Sequence, residues 1–238
     1  MPSPSAQPPN IAENLLQIQK KIIDICHKYH RNPNDVQLLA VSKTKPAEDI
    51  KAAFDAGQSR FGENYLQEAL DKISKLNERA IEWHFIGTIQ SNKTRELAGH
   101  FNWIHSVDRI KIAHRLSQQR PDSLTPLNIC LQINMSAESS KSGFNLNEIE
   151  PAVNEISPLP GLCLRGLMAI PAKTDNITEQ REVFARMKKL LETLQKNHPQ
   201  MDTLSMGMSG DMEAAIAQGS TILRIGTAIF GARNITEV

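Results

Sequence analysis

A surplus of charge of either sign is missing from this sequence: 27 lysines and arginines stand against 26 aspartates and glutamates in 238 residues, a formal net charge of +1. That balance provides no basic face for nucleic acid and no polybasic anchor for a membrane, and leaves local sites for small charged ligands. Cysteine is scarce. Cys26, Cys130 and Cys163 are the three, none of them in a C-x-x-C pair, which argues against a disulfide framework or a zinc site and fits a reducing compartment. No run approaches the roughly 18 apolar residues of a membrane span. The stretch from Met1 to Pro9 is rich in Pro and Ser and lacks the basic and apolar regions of a signal peptide, so it reads as a disordered tail before one domain at 10–238. A cytoplasmic chain follows as the expectation. A P-loop, a Ser/His/Asp signature and metal-ligand spacing are also absent, and His84, His100 and His105 read as structural.

What the sequence does have is alternation. Asn10 and Glu13 form a capping-box pattern, and Ile11, Leu15, Ile18, Ile22 and Ile25 recur at helical spacing, predicting an opening helix that ends near His30. From there strand-like runs predict strands at Val36–Val41, Ser59–Glu63, Ile81–Ile86, Trp103–Val107, Leu127–Asn134, Leu162–Met168, Thr203–Gly207 and Thr221–Phe230, with a helix-like segment after each of the first seven. Strands alternating with helices imply a parallel sheet, and eight at this length favour closure. The fold class is α/β: a single (β/α)8 TIM-type barrel with an extra N-terminal helix.

In such a barrel, function gathers where the strands end. Lys43 follows the apolar run Leu38–Val41, so its stem would sit at the barrel mouth, where partial desolvation favours the neutral, nucleophilic amine. An ordinary solvated strand-end lysine is the plainer reading, and Lys45 competes, although Pro46 turns the chain into a helix there. The segment Ser205–Asp211 and the pair Gly226 and Thr227 place small residues and amides after the last two strands, as phosphate sites in barrels do. Asp211 and Glu213 would repel an anion if they pointed inward, and Asp211 could simply cap the following helix. Arg224 alternates with Leu223 and Ile225, so it faces the other way, where either a ligand or a carboxylate such as Glu63 would pair with it.

The segments LLAVSKTKP (38–46), FGENYLQE (61–68), HFIGTIQSNK (84–93), SKSGF (140–144), GLMAI (166–170), SMGMSGDMEAAI (205–216) and RIGTAIFG (224–231) resemble, in order, the YggS/PROSC group of pyridoxal phosphate homeostasis proteins, whose fold is related to the alanine racemase N-terminal barrel. Thr88 and Ile89 depart from the histidine and leucine of many relatives. The resemblance implies pyridoxal 5′-phosphate held as a Schiff base on Lys43, its phosphate around Ser205, Ser209, Gly226 and Thr227, with Arg224 donating to the pyridine nitrogen and Asn64 close to the ring. A guanidinium that only donates would leave that nitrogen unprotonated and weaken the cofactor as an electron sink.

The function this implies is carrying or buffering the cofactor, in vitamin B6 and amino-acid homeostasis, without robust catalysis. The related racemases use a tyrosine from a second domain. Here the sequence closes at Val238, shortly after the last predicted strand, and its two tyrosines are Tyr29 and Tyr65. The competing expectation is a pyridoxal phosphate-dependent racemase or lyase for some amino acid, with Tyr65 or water as the second acid or base; a cofactor-free Schiff-base aldolase is more distant. Transient contact with apoenzymes that use the cofactor and a monomeric state complete the expectations.

Overall fold

The protein is described here from a computed structural model, which describes residues 10–135 and 142–232; the predicted tail at Met1–Pro9 lies outside them. Helix α1 (Ile11–Lys28) begins where the cap pattern places it, with the Asn10 side chain accepting from the Glu13 amide. It buries Ile11, Leu15, Ile22 and Ile25, the stripe that helical spacing predicts.

Eight strands follow: β1 (Gln37–Val41), β2 (Arg60–Glu63), β3 (Glu82–Phe85), β4 (Trp103–Val107), β5 (Leu127–Ile133), β6 (Leu162–Ala169), β7 (Thr203–Ser205) and β8 (Ile222–Ile225). Each pairs in parallel with the next, and β8 pairs with β1 through Gln37 to Ala40 against Ile222 to Ile225, closing the barrel. The intervening helices are α2 (Ala47–Asp55), α3 (Leu66–Lys75), α4 (Thr94–His100), α5 (Ile110–Gln119), α6 (Ile149–Ile156), α7 (Ile177–Gln195) and α8 (Met212–Ala217).

Two apolar layers result, as side-chain alternation along each strand requires. The large one lies between strands and helices, where Phe61, Ile104, Leu131 and Leu167 meet Ile50, Leu116, Val153 and Phe184. The small one fills the barrel itself with Leu39, Trp103, Cys130, Met168 and Ile222.

The predicted last strand is too long. After Ile225 the chain turns at Gly226 into a short helix, α9 (Thr227–Phe230), whose Ile229 and Phe230 are buried and whose Ile229 carbonyl accepts from Asn14 of α1. The run Ile225, Ala228, Ile229 suits helical spacing as well as alternation, and a short apolar run cannot separate the two. The seventh strand also ends early, at Ser205. None of the helices of the described residues is long and apolar enough to cross a membrane.

Candidate functional site

Strands β1 and β8 are neighbours, so the mouth brings together Lys43, which follows β1, and Arg224, whose register partner on β1 is Leu39. Gly226 closes the gap between them: a Cβ there would sit 3.0 Å from the Val41 carbonyl oxygen. Thr227 and Ala228 open α9, and the first amides of a helix have no intrahelical acceptor. Ser209 lies exposed in the turn before α8.

Lys43 is half-buried and sits in a turn whose backbone is held from behind. Ser42, buried, donates its hydroxyl to Glu63 at 2.6 Å and its amide to the Gly62 carbonyl at 3.0 Å. Lys72 of α3 donates to the Ser42 carbonyl at 2.9 Å and to Glu63 at 2.8 Å, and its third contact is Glu68. Glu68 also accepts the amide of Thr44, a non-glycine residue at φ 63°. Two carboxylates and a buried ammonium thus fix the residues on both sides of Lys43. Burial raises the pKa of Glu63, with Lys72 and Ser42 opposing it.

Asn64, next along the chain, is packed against the third strand's loop: a Cβ on Gly87 would fall 2.0 Å from the Asn64 carbonyl oxygen, so only glycine fits. The Asn64 side-chain oxygen is buried and has no hydrogen-bond partner among the described residues. Lys45 is directed elsewhere, donating to the Ala232 carbonyl at 2.7 Å.

Arg224 is 5% exposed and forms no salt bridge with Glu63, which is taken by Lys72. Its Nη1 donates to the Ser205 carbonyl at 2.6 Å and to the Ser205 hydroxyl at 2.8 Å, and its Nη2 to the Ala169 carbonyl at 2.8 Å. Burial lowers its pKa to about 10, which leaves it charged at neutral pH. Ser205 is engaged within the protein. Its fully buried hydroxyl is spent on Arg224 and on His105, 2.7 Å away, and is not grouped with the exposed Ser209 and Thr227.

The two carboxylates thought able to repel an anion are both engaged. Asp211 does not cap α8 with its side chain; it accepts the Met208 amide, and burial raises its pKa. Glu213 turns to α1 and accepts from Lys28 and Tyr29, each at 2.8 Å.

Sequence reasoning missed Ser42, Glu63, Glu68 and Lys72 as supports, and read His84 and His105 as structural without seeing their partners. One signal was available. Glu68 and Lys72 stand at i and i+4, a spacing that pairs charges on a helix.

The family model described as the alanine racemase N-terminal domain matches residues 11–234. A pyridoxal phosphate homeostasis protein of Haemophilus influenzae is 56% identical over 94% of this chain and 97% of its own length, and that of Escherichia coli K12 is 52% identical over 96% and 99%. The chain belongs to this family. Among solved structures, PipY of Synechococcus elongatus with PLP bound is 36% identical, with a TM-score of 0.82 over 93% of this chain and all of that one. Alanine racemase of Corynebacterium glutamicum, 16% identical with a TM-score of 0.70 over 96% of this chain and 63% of that one, shares the fold.

Proposed function

We propose that this chain binds pyridoxal 5′-phosphate in the barrel mouth and holds it reversibly on Lys43, as a carrier or buffer of the cofactor rather than an efficient catalyst. When bound, the cofactor supplies an aldehyde that condenses with amines and an electron-withdrawing ring. The residues present fit it. Lys43 offers a primary amine on a braced turn, Asn64 an unpartnered oxygen, and Gly226, Thr227 and Ser209 small residues and amides suited to phosphate. Arg224 carries the reading: its three hydrogen bonds to protein leave Nε–H and one Nη2–H for a ligand, in a guanidinium that cannot swing away. Ser205 takes part through Arg224.

Arg224, a fixed cationic donor, would hold the ring nitrogen as an acceptor, which would disfavour carbanion chemistry. Tyr29 is committed to Glu213 and Arg181 on the α1 side, and Tyr65 is 55% exposed, so neither is a shielded second base. Delivery to apoenzymes through transient contacts, by a cytoplasmic monomer, is the setting this role requires. The test is visible absorbance after incubation with pyridoxal phosphate and desalting, for wild type and Lys43→Ala. A band present in the first and lost in the second supports the reading; no retained band in wild type overturns it. Saturable turnover of an amino acid, abolished by Lys43→Ala, would instead favour a racemase or lyase.

A further inference from the structure

Below Arg224 a line of polar groups continues down through the barrel. The Ser205 hydroxyl is 2.7 Å from His105 Nδ1, His105 Nε2 is 2.9 Å from His84 Nδ1, and His84 Nε2 is 2.8 Å from Glu82 Oε1. Both rings are fully buried. Trp103 stacks on His84 at 5.5 Å with planes 6° apart, and Arg165 covers the other part of the indole surface, 5.1 Å from its centroid. A core that needed only volume would fill this space with aliphatic side chains, because each polar atom buried must be matched by a partner. Here all four ring nitrogens are matched.

The proton positions follow from donor and acceptor rules. An ionised Glu82 only accepts, so His84 carries its proton on Nε2; when neutral, its Nδ1 then accepts. His105 must donate from Nε2, its Nδ1 accepts, and the Ser205 hydroxyl must donate to it. The serine oxygen is left with lone pairs alone for Arg224. Every bond in the line points from the arginine to the carboxylate, and no other arrangement with both rings neutral satisfies them all. Burial, the largest cause in each case, lowers the pKa of both histidines, in keeping with neutral rings.

We propose that His105 and His84, ending on Glu82, are positioning residues that lock the Ser205 hydroxyl as an acceptor and so hold the Arg224 guanidinium at one place in the mouth. This rests on the reading of Arg224 as a cofactor contact, yet its first test does not need the cofactor. In the protein without cofactor, long-range 1H–15N spectra, assigned with His84→Gln and His105→Gln, are expected to show both rings neutral and protonated on Nε2 at neutral pH. A cationic or Nδ1-protonated ring at either position overturns the proposal.

The second test is retention of pyridoxal phosphate. His105→Phe, with folding checked by circular dichroism, is expected to weaken binding on the order of tenfold and move the visible band, while His105→Gln, which keeps an acceptor and a donor, restores most of both. Glu82→Leu removes only the partly exposed end of the line and is expected to weaken binding about threefold, on the same scale of a lost hydrogen bond; it decides the matter if His105→Phe does not fold. A folded variant of either kind with unaltered affinity and band overturns the proposal. If wild type itself retains no cofactor, the parent reading has failed, and the ring spectra still report on the line.

Discussion

Lys43 and Arg224 leave adjacent strands at one end of one barrel, but ions outside the barrel hold the first while neutral rings inside it hold the second. Behind Lys43, the ammonium of Lys72 joins Glu63, Glu68 and the Ser42 carbonyl in the layer between strands and α3. Below Arg224, Ser205, His105 and His84 carry hydrogen bonds down the axis to Glu82. The difference follows from what each side chain must do. On the proposed reading the lysine reacts as an amine, and the ions brace the backbone on both sides of it. On the same reading the arginine is a fixed cation in a dry place, and neutral acceptors stabilise its charge without adding a buried counter-charge where the cofactor would lie.

The largest effect should come from breaking the ionic side. Lys72→Met leaves Glu63, 0% exposed, without its cation and should cost about 3–5 kcal/mol in denaturant unfolding. On the other side Ser205→Ala removes the charge-assisted hydrogen bond from Arg224 and the bond to His105 and should cost about 2–3 kcal/mol. If Ser205→Ala proves the more destabilising, the contrast between the flanks is wrong.

Acid should separate the two flanks further. The folded pKa values of His84 and His105 lie below the unfolded one, so well above about pH 6.5 both rings are neutral in either state. As pH falls below that value, only the unfolded chain takes up protons, and stability should drop by up to about 1.4 kcal/mol per pH unit for each ring. Glu63 acts with the opposite sign: its raised pKa adds stability that is present below the ordinary carboxylate value and lost as pH rises through the folded one. Unfolding curves of the protein without cofactor between pH 7.5 and 5.5, compared with His84→Gln, measure the histidine part; that variant should show a shallower slope. The smallest effect is expected from Glu68→Gln. Glu68 is 29% exposed, so solvent screens it and the loss should stay under about 1 kcal/mol, with the lysine turn loosened in hydrogen exchange at Thr44.

Much of this was legible in the sequence because periodicity reports which face is buried. The eight strands and the opening helix come from such patterns, and Lys43 stands out as a charge just past one apolar run and Arg224 as a charge inside another. The error at 227–230 arose where a short apolar run fits both periods. The supports were illegible for a different reason: Lys72 reaches the Ser42 carbonyl 30 residues away and His105 reaches Ser205 100 residues away, and only the fold brings those partners together. The surroundings of Ser205 were illegible for the same reason, since the sequence does not show that its hydroxyl meets Arg224 and His105.

The central claim, that cofactor is held on Lys43, is most directly tested by borohydride reduction of the pyridoxal phosphate-loaded protein followed by peptide mass spectrometry. The account predicts a phosphopyridoxyl group on Lys43 and on no other lysine at stoichiometric yield; a label on Lys45 or another lysine instead, or no label at all, would contradict it.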